Sequence, residues 1–404
     1  MDKGAKVMSD KPLFSAVVLC YRHFEYLYDA IDAVLMQDYP AVELVVSDDG
    51  SPVFPQKEIE QYVESHKRSN LKQYLVRTGA QNVGTVRHLN QARRCVHGEY
   101  VVFLAGDDCL HDEHVLSSYV EGFSRAPKNC YIEMAQTGMY DENLEKLQEL
   151  YMTLEVKRAL EKTETDSREL LQLLITKGAC LPSTSTCFTR EFFERFGDFD
   201  ETYMLVEDYP MHIRLAKEHW IIHCESFIAI KHRHGGISHG QKGALRKSQV
   251  MYYTDTRKMV QELQIGNLAE LPPTQRRKVR TKKEAELLWI DMLLTRSEDG
   301  FVGMIKLAAK HPVYAVNLVL DKFVKYAEKW LKRLFVICLG GWVLSPALAD
   351  ILGTSLNLPQ GTLLSCVKQI AQILFALWCL MLVLALLIGF RSWLNRFPDE
   401  LLHS

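Results

Sequence analysis

The sequence is short of several familiar signatures. Its ten cysteines form no CxxC pair and no metal-finger spacing, which excludes a zinc-ribbon or thioredoxin-like reading and leaves them as small buried hydrophobes of a reducing compartment. A formal net charge of −2 over 404 residues offers polyanions no general attraction, so no nucleic-acid partner is expected. No internal repeat is visible. The opening MDKGAKVMSDK carries no apolar run ahead of the first strand-like segment, so no secretory leader is expected and the front of the chain should stay in the cytosol.

Long apolar runs are likewise missing from the first three quarters and concentrated at the back. Between Gln369 and Phe390 there is no charged residue, and these twenty-two residues would make about 33 Å of helix, enough for a hydrocarbon core of about 30 Å. A shorter uncharged stretch, Leu334–Ala349, holds Gly340, Gly341 and Pro346, which leaves three readings of it open: spanning with its flanks, re-entering, or lying in the interface. Lys322, Lys325, Lys329, Lys332 and Arg333 precede the pair, Arg391 and Arg396 follow it, and Lys368 alone lies between. That distribution predicts a membrane region over 334–404 as a two-helix hairpin (334–353 and 369–390) with both ends on the cytoplasmic side of the plasma membrane. The segment before it, with Val316, Leu320, Phe323, Ala327 and Leu331 on one helical face and the basic residues on another, reads as an amphipathic helix that either meets lipid or packs on the rest of the chain.

The front alternates β-type runs with helical patterns: FSAVVLC (Phe14–Cys20), a helix around Tyr26–Met36, ELVVS (Glu43–Ser47), KQYLV (Lys72–Val76), a helix over Gly84–Val96, and YVVFLA (Tyr100–Ala105). Such alternation predicts an α/β domain with a mainly parallel sheet, whose ligands sit at the carboxyl ends of the strands. Residues from about Asp141 to Thr176 show helix-favouring charge and no strand pattern. After about Gly240 helical patterns take over, with a break at Leu271–Pro273 and a basic run, QRRKVRTKK, from Gln275 to Lys283. The expected division is a catalytic domain over 1–240, a helical region over 241–333 and the membrane region.

Paired acids fall at the strand ends. Asp48 and Asp49 stand in a Gly-containing turn, where carboxylates accept hydrogen bonds readily. Asp107 and Asp108 follow YVVFLA, and adjacent carboxylates repel unless a cation or donor lies between them, which suits a hard divalent metal. Glu207 and Asp208 stand just before a helical pattern, a position that helix capping alone would also explain.

In this order the motifs resemble family 2 glycosyltransferases of the GT-A fold, of the bacterial cell-surface polysaccharide type. The resemblance runs from about Leu13 to Ser238: VVLCYRHFEYLYDAIDAVLMQDYPAVELVVSDDGS, NVGTVRHLNQARRCVHGEYVVFLAGDD, FGDFDETYMLVEDYPMHIRLA and KHRHGGIS. It implies a Rossmann-like, mainly parallel central sheet and an inverting transfer of sugar from a nucleotide-diphosphate sugar donor to a hydroxyl of a glycan or lipid-linked saccharide acceptor. It also implies a divalent cation, Mn2+ or Mg2+. By the same resemblance Asp208 is the general base and Glu207 orients the base or acceptor, while Asp48, Asp49, Arg87 and Asp107 meet the nucleotide sugar. Asp107, Asp108 and His234 hold the metal, with His232 a further candidate. Ala105 departs from the family pattern, which often has an acid at that position of AGDD.

Two other readings remain open from sequence: a polyprenyl-phosphate glycosyltransferase, and a non-catalytic nucleotide-sugar-binding or scaffold protein. A processive synthase fits less well, because no QxxRW motif is present.

Overall fold

The computed structural model describes residues 11–233, 247–298 and Ala309. The apolar runs of the front become parallel strands at nearly the bounds that the sequence marks. They are β1 (Phe14–Cys20), then α1 (Leu27–Leu35), β2 (Val42–Asp48), α2 (Gln56–His66), β3 (Leu71–Thr78), α3 (Thr85–Arg93) and β4 (Tyr100–Ala105). Alternate residues on these strands feed two separate cores. Val17, Val45 and Val101 join one apolar cluster, whereas Ala16, Val18, Leu44, Val46, Val102 and Leu104 join the other. A sheet buried on both faces in this way loses almost no apolar side chain to water, and each fully buried Val or Leu contributes roughly 1.5–3 kcal/mol.

The chain continues through β5 (Cys109–Leu110), α4 (Val115–Arg125), β6 (Ile132–Tyr140), β7 (Leu147–Leu150), α5 (Leu154–Glu161), α6 (Arg168–Lys177), β8 (Thr186–Thr189), α7 (Arg190–Phe196), α8 (Asp208–Lys217) and β9 (His223–Arg233). Strand order is β3-β2-β1-β4-β8-β6-β9-β5, with β7 pairing β6 at the side. The expected mainly parallel sheet holds for the first four strands and for the β6–β9 pair. Beyond them β8 runs antiparallel to both β4 and β6, and β5 runs antiparallel to β9, so the sheet is mixed. The βαβ alternation that implied parallel pairing is confined to the first 105 residues. The region after Asp141 also differs from its reading, because it contains β7. All four residues of that strand are exposed, and it pairs only with β6, so no half-buried alternation marks it in the sequence.

Residues 247–298 are helical: α9 (Lys247–Lys258), a π-helical turn (Met259–Ile265), a 3-10 turn (Leu268–Glu270) and α10 (Pro273–Glu298). The break before α10 falls where Leu271–Pro273 predicts it. Met259, Leu268 and Leu271 enter the same apolar cluster as α6 and α8. The basic run lies on α10, where Lys283 is buried and pairs with Glu286 at 3.0 Å. Among the described residues no helix is long and apolar enough to cross a membrane. The two candidate spans and the amphipathic segment before them lie outside the described residues.

Candidate functional site

The first acid turn forms where β2 ends. Asp48 is fully buried, and its Oδ2 accepts the Ser51 N–H at 2.7 Å and the Thr78 hydroxyl at 2.6 Å. Gly50, at φ +70°, makes the reversal. Asp49 points across to the start of α3, where its oxygens accept the N–H groups of Val83 (2.9 Å) and Gly84 (3.0 Å) and the Asn82 amide (2.8 Å). Burial, reinforced by Asp48 and partly offset by the Val83 and Gly84 N–H groups, leaves the Asp49 carboxyl above the usual carboxylate range. Both acids thus shape the turn itself, which stands at the carboxyl edge of the parallel strands.

The second acid turn follows β4, directly beside β1. Its two carboxylates are in unlike surroundings. Asp108 is buried, with Oδ2 accepting from His232 Nδ1 at 2.9 Å and Oδ1 from the Arg233 N–H at 3.1 Å. The hydrogen bond to Asp108 raises the His232 imidazole above its ordinary pKa. Asp107 is half-buried, and no other described side chain bonds to its carboxylate. Burial first and the neighbouring Asp108 second raise its pKa.

Arg233, which the sequence reading passed over in favour of the flanking histidines, is the clamp of this turn. Its Nε donates to the Asp107 carbonyl at 2.9 Å, and an Nη donates to Asp29 at 3.1 Å. Another Nη reaches the Glu142 carbonyl, and the guanidinium lies 3.8 Å from the Tyr26 ring centroid. In an extended strand the side chain of residue 233 takes the opposite face from 232. The signal was the alternation itself in KHRH, with one basic group on each side of the acid turn.

The third pair stands at the mouth of α8. Glu207 occupies the N-cap position and Asp208 opens the helix. Asp208 Oδ2 accepts the Ser183 hydroxyl at 2.7 Å, and its Oδ1 accepts the Tyr209 N–H at 2.7 Å. Among the described residues no other side chain donates to Glu207, and burial together with the Asp208 charge pushes its carboxyl well above the usual range. One turn along the helix, His212 is fully buried with neither ring nitrogen hydrogen-bonded, and burial holds it neutral. The pair therefore holds one acid engaged by two donors and, beside it, a Glu207 carboxyl that burial and the neighbouring charge push up.

Backbone contacts join the third pair to the first turn. The Met204 carbonyl, just ahead of Glu207, accepts the Val86 N–H of α3 at 3.2 Å, and Gly84 lies so close that an added Cβ would stand 2.9 Å from that oxygen. Arg87, on the same helix, is half-exposed and pairs with Glu201 at 3.1 Å. Among the described residues no group of three His, Cys, Asp or Glu side chains gathers as a metal cage. Among the described residues no side chain bonds to the Asp107 carboxylate, whereas Asp108 is engaged by His232 and Arg233, so the residues present fit a cation held by one carboxylate and completed by ligand oxygens. His234 lies outside the described residues.

Residues 15–196 match the family model described as Glycosyl transferase family 2. The chain is 24% identical over 208 residues to the uncharacterized glycosyltransferase EpsJ of Bacillus subtilis (strain 168), covering 51% of this chain and 57% of that protein. It is 32% identical over 98 residues to the putative teichuronic acid biosynthesis glycosyltransferase TuaG of the same organism, covering 24% of this chain and 37% of TuaG. It thus spans little more than half the length of the first of these relatives and less of the other. Among solved structures it is similar to S. aureus TarS 1–349 in complex with UDP-GlcNAc, at 16% identity and TM-score 0.46, over 71% of this chain and 90% of that one. It is also similar to the mannosyltransferase PcManGT from Pyrobaculum calidifontis in complex with GDP-Man and Mn2+, at 15% identity and TM-score 0.44, over 78% and 81%.

Proposed function

Residues 15–196 make this chain a member of glycosyltransferase family 2, and from that premise we propose that it moves a sugar from a nucleotide-diphosphate donor to a hydroxyl of a glycan or lipid-linked saccharide, with inversion. The observation that carries the reading is the unlike pair at α8. The Asp208 carboxylate oxygens accept two hydrogen bonds, while Glu207 is held toward its neutral form by burial and by Asp208. In this reading Asp208 takes the proton of the acceptor hydroxyl as that oxygen attacks the anomeric carbon. Glu207 orients the same hydroxyl. The nucleoside diphosphate leaves on the opposite side, so no covalent intermediate with the protein is needed.

The turns at Asp48–Gly50 and at Asp107–Asp108 receive the donor. Asp107 is the residue that would hold Mn2+ or Mg2+, and Asp108 would act through the turn, because its oxygens are engaged by His232 and Arg233. The cation, when bound, offsets the charge that develops on the diphosphate. Arg87 would reach the donor only by leaving Glu201. A place in cell-surface polysaccharide synthesis is supported by the likeness to TuaG and, for the cytoplasmic face of the plasma membrane, by the apolar and basic pattern of 316–396.

A thermal-shift panel of nucleotide sugars with and without Mn2+ tests the donor site, because a ligand held by the folded state alone raises its melting midpoint. Asp208→Asn should leave that shift in place and lower transfer at least about 100-fold, the size of a lost general base. Wild-type turnover by the variant would end the base assignment. Donor binding with no transfer or hydrolysis on any acceptor would favour the non-catalytic alternative.

A further inference from the structure

Asp255 lies on α9, beyond the segment that matches the family, and is 4% exposed. A carboxylate drawn that far from water needs donors. Its Oδ2 accepts two backbone N–H groups, from Met204 at 2.9 Å and Leu205 at 2.7 Å. One turn further along α9, Lys258 donates to the Thr202 carbonyl at 3.3 Å, and its ammonium stands 4.1 Å from the centroid of the Tyr203 ring. Residues three apart share a helix face, so one face of α9 grips four consecutive residues, Thr202–Leu205, immediately ahead of the acid pair.

The same stretch is held from the other side. Val86 donates to the Met204 carbonyl, and Asp49 fixes Val83 and Gly84 just before it. Met204 is thus fastened by its carbonyl to the start of α3 and by its N–H to α9. Released from α9, the Met204 backbone would keep its hydrogen bond to Val86 and the apolar packing of Tyr203 and Val206, and would lose the tether on its N–H side.

We propose that Asp255 is a positioning residue for transfer: it holds the Met204–Val206 approach so that Glu207 and Asp208 face the donor turn, which makes α9 a required part of the active site. The proposal rests on the transferase reading. A displacement of about 1 Å at reacting groups costs on the order of 100-fold. Asp255→Ala in the full chain should therefore lower kcat by about 10- to 100-fold while donor KM stays within about threefold, because the Asp48–Gly50 turn is untouched. Asp255→Asn, whose amide oxygen still accepts N–H groups, should recover most of that loss. Amide hydrogen exchange over 203–208 should quicken in the alanine variant and not in the asparagine variant.

The proposal is overturned if Asp255→Ala turns over at the wild-type rate, if its loss disappears on cooling well below a lowered melting midpoint, or if the asparagine variant is as slow as the alanine variant. Unchanged exchange at 203–208 overturns it whatever the activity. A wild-type chain with neither transfer nor donor hydrolysis would instead sink the transferase reading, leaving the exchange result to judge the tether.

Discussion

Glu133 shows how one residue can hold a cost inside the fold. It sits on β6, fully buried, with neither carboxylate oxygen hydrogen-bonded. It reaches that place because Gly122 of α4 has no side chain, since a Cβ there would stand 2.1 Å from Glu133 Oε1. Burial, aided by the charge of Glu225, pushes its pKa up to about 9. The folded state therefore keeps a proton that the unfolded chain releases near pH 4.5. Stability from this group is fully present below that pH and declines as pH rises toward 9, with a slope of up to about 1.4 kcal/mol per unit. Glu133→Gln removes the proton uptake and should raise stability at pH 8 by about 1–3 kcal/mol with little change at pH 4.5. Urea melts of both proteins at the two pH values check this, and equal differences at both would refute it. The sequence gives no hint of this buried acid: IEMAQTGMY is the β6 run, and an acid beside Ile132 reads as the solvent face of a half-buried strand. Only the register against β8 and β9, set by distant pairing, turns it inward.

At the scale of elements, legibility follows how local the determining forces are. Phe14–Cys20 and Tyr100–Ala105 appear at the bounds that their apolar runs set, and the acid turns stand at strand ends as the βαβ pattern requires. The turn chemistry of SDDGS is equally local, because φ +70° at Gly50 is a conformation that L side chains rarely adopt. A Cβ at this glycine would also lie 2.3 Å from the carbonyl carbon of Gln81, so overlap adds to strain. Gly50→Ala should destabilise the domain by at least about 2 kcal/mol and weaken the donor-induced thermal shift by pulling Asp48 and Asp49 out of place. Denaturant melts and the nucleotide-sugar panel read both effects, and a variant with wild-type donor response would show that the turn does not receive the donor. By contrast β7 and the clamp of Arg233 on Asp107 were not legible. A strand with every residue exposed carries no period, and a guanidinium bonded to carbonyls of Asp107 and Glu142 depends on closure of the sheet from β4 to β9.

At the scale of the whole molecule, the helices after β9 are part of the same core as the α/β domain. Composition alone places helices after Gly240, but it does not say what they cover. Met259, Leu268 and Leu271 are at most 6% exposed and belong to the apolar cluster of α6 and α8, and Asp255 binds the loop ahead of α8. At roughly 1.5–3 kcal/mol for each buried side chain, the three residues contribute about 5–9 kcal/mol, as much as the net stability of many domains. A chain ended after residue 246 would therefore expose the apolar faces of α6 and α8 and lack the tether of Met204. It should lose near-UV circular dichroism and bind a hydrophobic dye, with strand and helix content largely kept, as loosely packed compact states do. A chain ended after residue 304 should melt cooperatively with an intact near-UV spectrum. A cooperative, dye-silent shorter chain would mean that the α/β domain closes its core without α9 and α10, and would return those helices to the role of a separate appendage.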